Sequence, residues 1–160
     1  MGEEIVTYKW LFEDYYNNEF QRVQKVCGFA SEAKQAVNIV KNKRLRCVLA
    51  TSPMFPKIAT ESRMKWAGFE TSDFEIYSTY EDYNYCKPNL NYYRQILSKI
   101  NVSPEECLMV GNDVKEDMVA KELGLDVFLL TDCMINREQK DISEFNNGGF
   151  DKLIEYLKNL

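Results

Sequence analysis

The stretch Cys107-Leu-Met-Val-Gly-Asn-Asp-Val-Lys-Glu-Asp117 decides the fold. It opens on a short apolar run, which suits a strand buried on both faces. The run stops at Gly111, and two acids, Asp113 and Asp117, follow at a spacing that puts them on one face of a helix. A strand that ends in a glycine turn and passes into a helix is half of a strand–helix–strand unit. The second half comes next: a helix to Leu123, a stop at Gly124, then an apolar strand from Val127 to Leu130 that ends at Thr131-Asp132.

The same alternation extends in both directions. Ser31 reads as an N-cap, with Ala33, Ala36, Val37 and Val40 on one helical face behind it. Leu45 to Ala50 reads as a buried strand that stops at Thr51-Ser52-Pro53, and a helix from about Pro56 to Ala67 closes at Gly68. Phe74 to Tyr77 makes a short strand. Tyr92, Tyr93, Ile96, Leu97 and Ile100 mark a helix behind the loop that carries Lys87-Pro88. Ser103-Pro104-Glu105-Glu106 has the form of a capping box with proline at the first helical position. After the loop Asn146-Asn147-Gly148-Gly149, the residues Phe150, Leu153, Ile154 and Leu157 define a terminal helix. Residues 1–27, with Trp10, Phe12, Tyr15, Tyr16 and Phe20, stand apart as one or two helices whose aromatics need a surface to pack on.

Strands alternating with helices, and apolar nearly throughout, imply an α/β fold with a mainly parallel sheet covered on both faces. Ligands of such sheets bind at the carboxyl ends of the strands. That places attention on Thr51-Ser52, Lys87, Asn112-Asp113 and Thr131-Asp132.

Composition narrows the chemistry. The 160 residues carry a net charge of -5, which argues against nucleic acid as a partner, and no apolar run is long enough to span a membrane. The opening lacks the basic start and apolar stretch of a signal peptide. Five dispersed cysteines with no C-x-x-C fit free thiols in a reducing cytoplasm. With 0 histidines, His-based triads and zinc sites are excluded. Chemistry is left to carboxylates, lysine, hydroxyls or a hard metal ion.

Each strand-end group has a chemical meaning. A hydroxyl pair at Thr51-Ser52, beside free backbone N–H groups, suits an anion. Lys87 lies just before a helix start, where acids are the usual choice, so its charge points toward a bound anion. Asn112, Asp113 and Asp117 offer an amide and two carboxylates, the oxygen set for Mg²⁺ with retained waters.

Taken in order, VLATS ending at Thr51, Lys87-Pro88, and VGNDVKED followed by VFLLTD resemble the core of the haloacid dehalogenase-like hydrolases, most of which are phosphatases. The resemblance covers roughly residues 28–160. It implies a Rossmann-like three-layer sandwich and hydrolysis of small phosphorylated metabolites through an aspartyl-phosphate. Thr51 and the Ser52 backbone would hold the phosphoryl oxygens, and Lys87 would act catalytically by offsetting negative charge. Asn112, Asp113 and Asp117 would hold Mg²⁺, with Asn112 in a slot usually filled by aspartate.

One part of the family pattern is missing. Its nucleophile and general acid come from a D-x-D at the end of the central strand, and no D-x-D occurs in this sequence. Relative to the family the chain starts late, as if truncated: residues 1–27 correspond to the remnant of a helical cap, and the first strand is absent. Little or no turnover is expected, and Mg²⁺ binding is expected to be weak or absent. The lost strand would leave two edges unpaired, to be closed by re-pairing, by the N-terminal segment, or by a second copy in a homo-oligomer. A non-catalytic phosphate- or Mg²⁺-binding or assembly module is the alternative. A receiver-like signalling domain needs a phosphoacceptor aspartate ahead of the threonine and lysine, and this order is not found.

Overall fold

A computed structural model describes residues 8–160. Its strands form two separate parallel ladders. The first pairs β1 (Val48–Leu49) with β2 (Ile76–Tyr77), in the register Val48 to Ile76 and Leu49 to Tyr77. The second runs in the order β3 (Leu108–Gly111), β4 (Asp126–Leu130), β5 (Asn146–Gly148), all parallel. The helices are α1 (Lys9–Asn17), α2 (Ser31–Asn42), α3 (Lys57–Trp66), α4 (Leu90–Ile100) and α5 (Phe150–Asn159), with a 3₁₀ helix at Glu19–Val26.

Alternation along β4 assigns the layers. Val127 and Leu129 face α4, whose Tyr92, Tyr93, Ile96 and Leu97 are buried with Met109; Val48, Ala50 and Ile76 of the first ladder pack against this same cluster. Phe128 faces the other way, into Ala36 of α2 and Leu153 and Leu157 of α5. The result is helix, sheet, helix, as the alternating pattern predicted.

The two ladders are not joined to each other. Residues of a parallel strand bond alternately to its two sides. Cys47 and Leu49 face β2, accepting from Glu75 N at 2.8 Å and Ser78 N at 3.1 Å, so Val48 and Ala50 direct their polar groups outward. Cys107 accepts from Asp126 N at 3.0 Å, so Leu108 and Val110 do the same from β3. Among the described residues no backbone hydrogen bond links β1 to β3, and re-pairing of these strands does not occur.

Several elements differ from the sequence expectation. Ala30, not Ser31, caps α2; the Ser31 hydroxyl turns to Glu32 Oε2 at 3.1 Å. Asn146-Asn147-Gly148, read as loop, is an edge strand held by β4, a case of tertiary pairing overriding weak β propensity. The segment after Asp113 is a turn followed by a 3₁₀ helix, Met118–Leu123, rather than an α-helix. In the N-terminal segment Phe20 is buried against Tyr16, Phe55 and Trp66, whereas Trp10 and Phe12 are 60% and 57% exposed. The capping box at Ser103 forms as expected. Among the described residues no helix is long and apolar enough to cross a membrane.

Candidate functional site

Lys87 enters the site from the loop before α4, whose first turn is capped by the Asn89 side chain. Its ammonium donates to Asp117 Oδ1 at 2.5 Å, and the two side chains are only 8% and 7% exposed. A buried ion pair is sustained only if the other lone pairs are also satisfied. They are: Asp117 Oδ2 accepts from Asn112 N at 2.9 Å and Asp113 N at 3.0 Å. The carboxylate therefore folds back over the turn that precedes it. Gly111 permits this, because a Cβ on residue 111 would fall on the Asp117 side chain.

The other two acidic-turn residues have separate tasks. Asp113 Oδ1 accepts from Lys115 N and Glu116 N, both at 2.9 Å, closing the turn. Asn112 Nδ2 donates to Cys133 O at 2.6 Å, and the backbones of Asn112 and Val114 are stitched to Ile135 at 2.8 and 3.0 Å. Asp132, at the end of β4, accepts from Phe150 N at 2.8 Å and so is spent on starting α5.

At the end of β1, Thr51 and Ser52 are half-buried, and neither hydroxyl has a hydrogen-bond partner among the described residues. The Thr51 carbonyl is held by the Tyr92 hydroxyl at 2.8 Å. The next residue, Tyr93, donates to Glu116 O at 2.5 Å, on the acidic turn. Burial pushes both tyrosine hydroxyls well above their usual titration range, so both stay protonated donors at neutral pH. Helical spacing marks Tyr92 and Tyr93 only as apolar helix positions. The signal that could have found them was chemical: a buried tyrosine, unlike leucine, needs a partner for its hydroxyl.

The structure thus brings Lys87 and Asp117 together, ties Thr51 to α4, and sets Asn112 and Asp113 on the same turn with different partners. A family model described as haloacid dehalogenase-like hydrolase matches residues 3–131. The chain belongs to the haloacid dehalogenase-like hydrolases.

Among proteins of known activity, this haloacid dehalogenase-like chain is similar to the glyceraldehyde 3-phosphate phosphatase of Methanocaldococcus jannaschii. The two are 29% identical over 89 residues, 54% of this chain and 39% of the relative, so the chain spans well under half of that protein. Among solved structures, a HAD phosphatase from Thermococcus onnurineus superposes with a TM-score of 0.61 at 18% identity, covering 77% of this chain and 55% of that one. L-2-haloacid dehalogenase from Xanthobacter autotrophicus gives 0.64 at 14% identity, over 81% and 60%. At such identities the likeness is one of fold.

The magnesium ion implied by the resemblance can be tested against the donors. Mg²⁺ takes near-octahedral oxygen ligands, usually one or two carboxylates with waters and substrate phosphate. Asp117 has both oxygens committed, and Asp113 keeps one oxygen free of its turn. Asn112 adds an amide oxygen at most. Among the described residues no three acidic, Cys or His groups gather into a metal-binding cluster. These residues do not fit a resident, tightly held Mg²⁺.

Proposed function

We propose that this chain is a phosphatase-type core that recognises the phosphoryl group of a small phosphorylated metabolite but turns it over little or not at all. Thr51 and Ser52 bind the phosphoryl oxygens. Lys87 supplies the positive charge: one of its three ammonium protons goes to Asp117, and the others remain for an anion. The observation that carries this reading is the buried Lys87–Asp117 pair, which fixes a cation at the carboxyl end of the sheet, where α/β proteins bind ligands.

Low turnover follows from the carboxylates. In-line attack on phosphorus needs an uncommitted aspartate, and its loss removes most of the rate enhancement because such groups act as a unit. Asp117 is consumed by Lys87 and two backbone N–H groups; Asp113 has one oxygen held by its turn, and no D-x-D in the sequence supplies the attacking and proton-donating pair. In this reading residues 28–160 are the core and the helical segment at 1–27 is a covering appendage. A cytoplasmic setting is consistent with the five free cysteines. The outward polar groups of β1 and β3 favour association of copies, which light scattering measures directly.

A titration with inorganic phosphate followed by amide NMR, alongside release of phosphate from p-nitrophenyl phosphate with and without Mg²⁺, tests the proposal. The expected result is saturable phosphate binding, weakened at least about five-fold in Thr51→Val by loss of one hydrogen bond, and no Mg²⁺-dependent turnover. Rapid turnover abolished by Lys87→Ala would refute the inactivity; no phosphate binding at all would refute the site. The second reading, a non-catalytic binding or assembly module, is favoured by the full internal use of Asp117 and predicts binding without turnover under every metal condition.

A further inference from the structure

The two ladders share a core but no backbone hydrogen bond among the described residues, so something else must hold the end of β1 at a fixed distance from the end of β3. The side chains that do so come from α4 and the loop before it. Tyr92 donates to Thr51 O at 2.8 Å, on the first ladder, and accepts from Ser78 Oγ at 2.6 Å, just past β2. Tyr93 donates to Glu116 O at 2.5 Å, on the turn after β3. The rings lie edge to face, 5.2 Å between centroids, and are 0% and 2% exposed. Lys87, a few residues earlier, reaches Asp117 on that same turn. At the opposite end of α4, Arg46 from the start of the first ladder donates to Ile100 O at 2.7 Å.

We infer that Tyr92 and Tyr93 are paired positioning residues, a two-pronged strap that sets the spacing between the Thr51 half and the Lys87–Asp117 half of the anion site. Consecutive residues on a helix diverge by about 100°, so adjacent side chains reach in different directions, one toward each ladder. Each hydroxyl donates its proton to a backbone carbonyl rather than to a side chain. The bond therefore fixes where a chain segment lies without occupying a group that a ligand would use. Hydrophobic packing alone would allow the two ladders to slide, because dispersion contacts are not directional; a hydrogen bond is. Burial keeps both hydroxyls protonated, so the strap holds across the neutral and mildly alkaline range.

The inference rests on the proposed phosphate site for its functional consequence, but the strap itself has an independent readout. Tyr92→Phe and Tyr93→Phe keep shape and remove one donor each. Tyr83→Phe is the control: Tyr83 packs on Tyr92 at 5.7 Å in the same buried cluster and shares the Ser78 hydroxyl with it, but donates to neither strand-end carbonyl. Amide NMR, thermal melting and titration with inorganic phosphate are measured on the full chain. Tyr92→Phe should shift the Thr51 and Ser52 amides and Tyr93→Phe those of residues 115–117. Each should weaken phosphate about five-fold, the equivalent of one hydrogen bond, whereas Tyr83→Phe lowers the melting temperature alone. If both strap variants melt lower but leave those amides, and the affinity of a phosphate-binding wild type, unchanged, the tyrosines are ordinary core residues and the inference falls. If the wild type binds no phosphate, the proposed function falls instead. The strap is then decided by the amide pattern: segment-specific shifts support it and their absence overturns it.

Discussion

Lys87 Nζ and Asp117 Oδ1 lie 2.5 Å apart although the residues are distant in sequence, and both side chains are more than nine-tenths buried. The pair ties the loop before α4 to the turn after β3, and it sits where a ligand of this fold would bind. Removing one partner leaves the other charge buried, which costs far more than a surface pair is worth. Lys87→Ala is expected to lower unfolding free energy by about 3 kcal/mol, read from urea denaturation. Lys87→Ala combined with Asp117→Asn should recover part of that loss; a strictly additive double variant would show that the pair is not coupled.

Gly111 is required by the Asp117 side chain and not by backbone angle, since a methyl there would occupy the carboxylate's position. Gly111→Ala should cost about 1–3 kcal/mol, as overpacking does, and should shift the amides of Asn112 and Asp113, which would lose their acceptor. An unchanged melting temperature would show that the turn can open without penalty.

Asp73 gives the chain an acid-sensitive joint. The Lys34 and then the Lys41 ammonium, at 2.7 and 2.6 Å, together with Glu70 N at 2.9 Å, hold its carboxyl well below the usual carboxylate range. A carboxyl depressed in the folded state contributes stability above its unfolded pKa of about 3.9, and this is lost as pH falls toward the folded value. Urea midpoints measured from pH 7 down to pH 3 should therefore drop more steeply for the wild type than for Asp73→Asn. Parallel slopes would remove Asp73 from the account of acid sensitivity.

Phe20 fastens the N-terminal helices to the rest of the chain. It is 6% exposed and its ring lies 5.3 Å from Trp66 and 6.0 Å from Phe55. Truncating a buried phenylalanine costs about 3–5 kcal/mol, and the loss is expected to fall on the segment before residue 28. Limited proteolysis of Phe20→Ala should cut first within residues 8–27, leaving the core intact. Simultaneous loss of both parts would mean that they unfold as one unit.

Magnesium provides the last check. With Asp117 committed and Asp113 half-committed, adding about 10 mM Mg²⁺ to a site with a dissociation constant of similar size stabilises by only about 0.4 kcal/mol. The melting temperature should move by less than about 3 °C; a larger shift would require carboxylates to be released from their present partners.

The sequence by itself determined the layer architecture, because a strand buried on both faces leaves a continuous apolar run and a helix buried on one face leaves a 3.6-residue period: β4 and the face of α4 were legible residue by residue. It also gave the residues at the strand ends, since Gly111, the Thr51-Ser52 stop and Lys87-Pro88 are local chemical signals. The edge strand at Asn146–Gly148 was not legible, because its pairing comes from β4 and not from its own side chains. Nor were the partners of the acids. Spacing put Asp113 and Asp117 on one helical face, whereas the turn sends one carboxylate to Lys115 and Glu116 and the other back to Lys87. Tertiary structure decided which hydroxyl and which carboxylate remain uncommitted, because hydrogen bonds between distant segments are set by distance and direction, which a one-dimensional pattern does not carry.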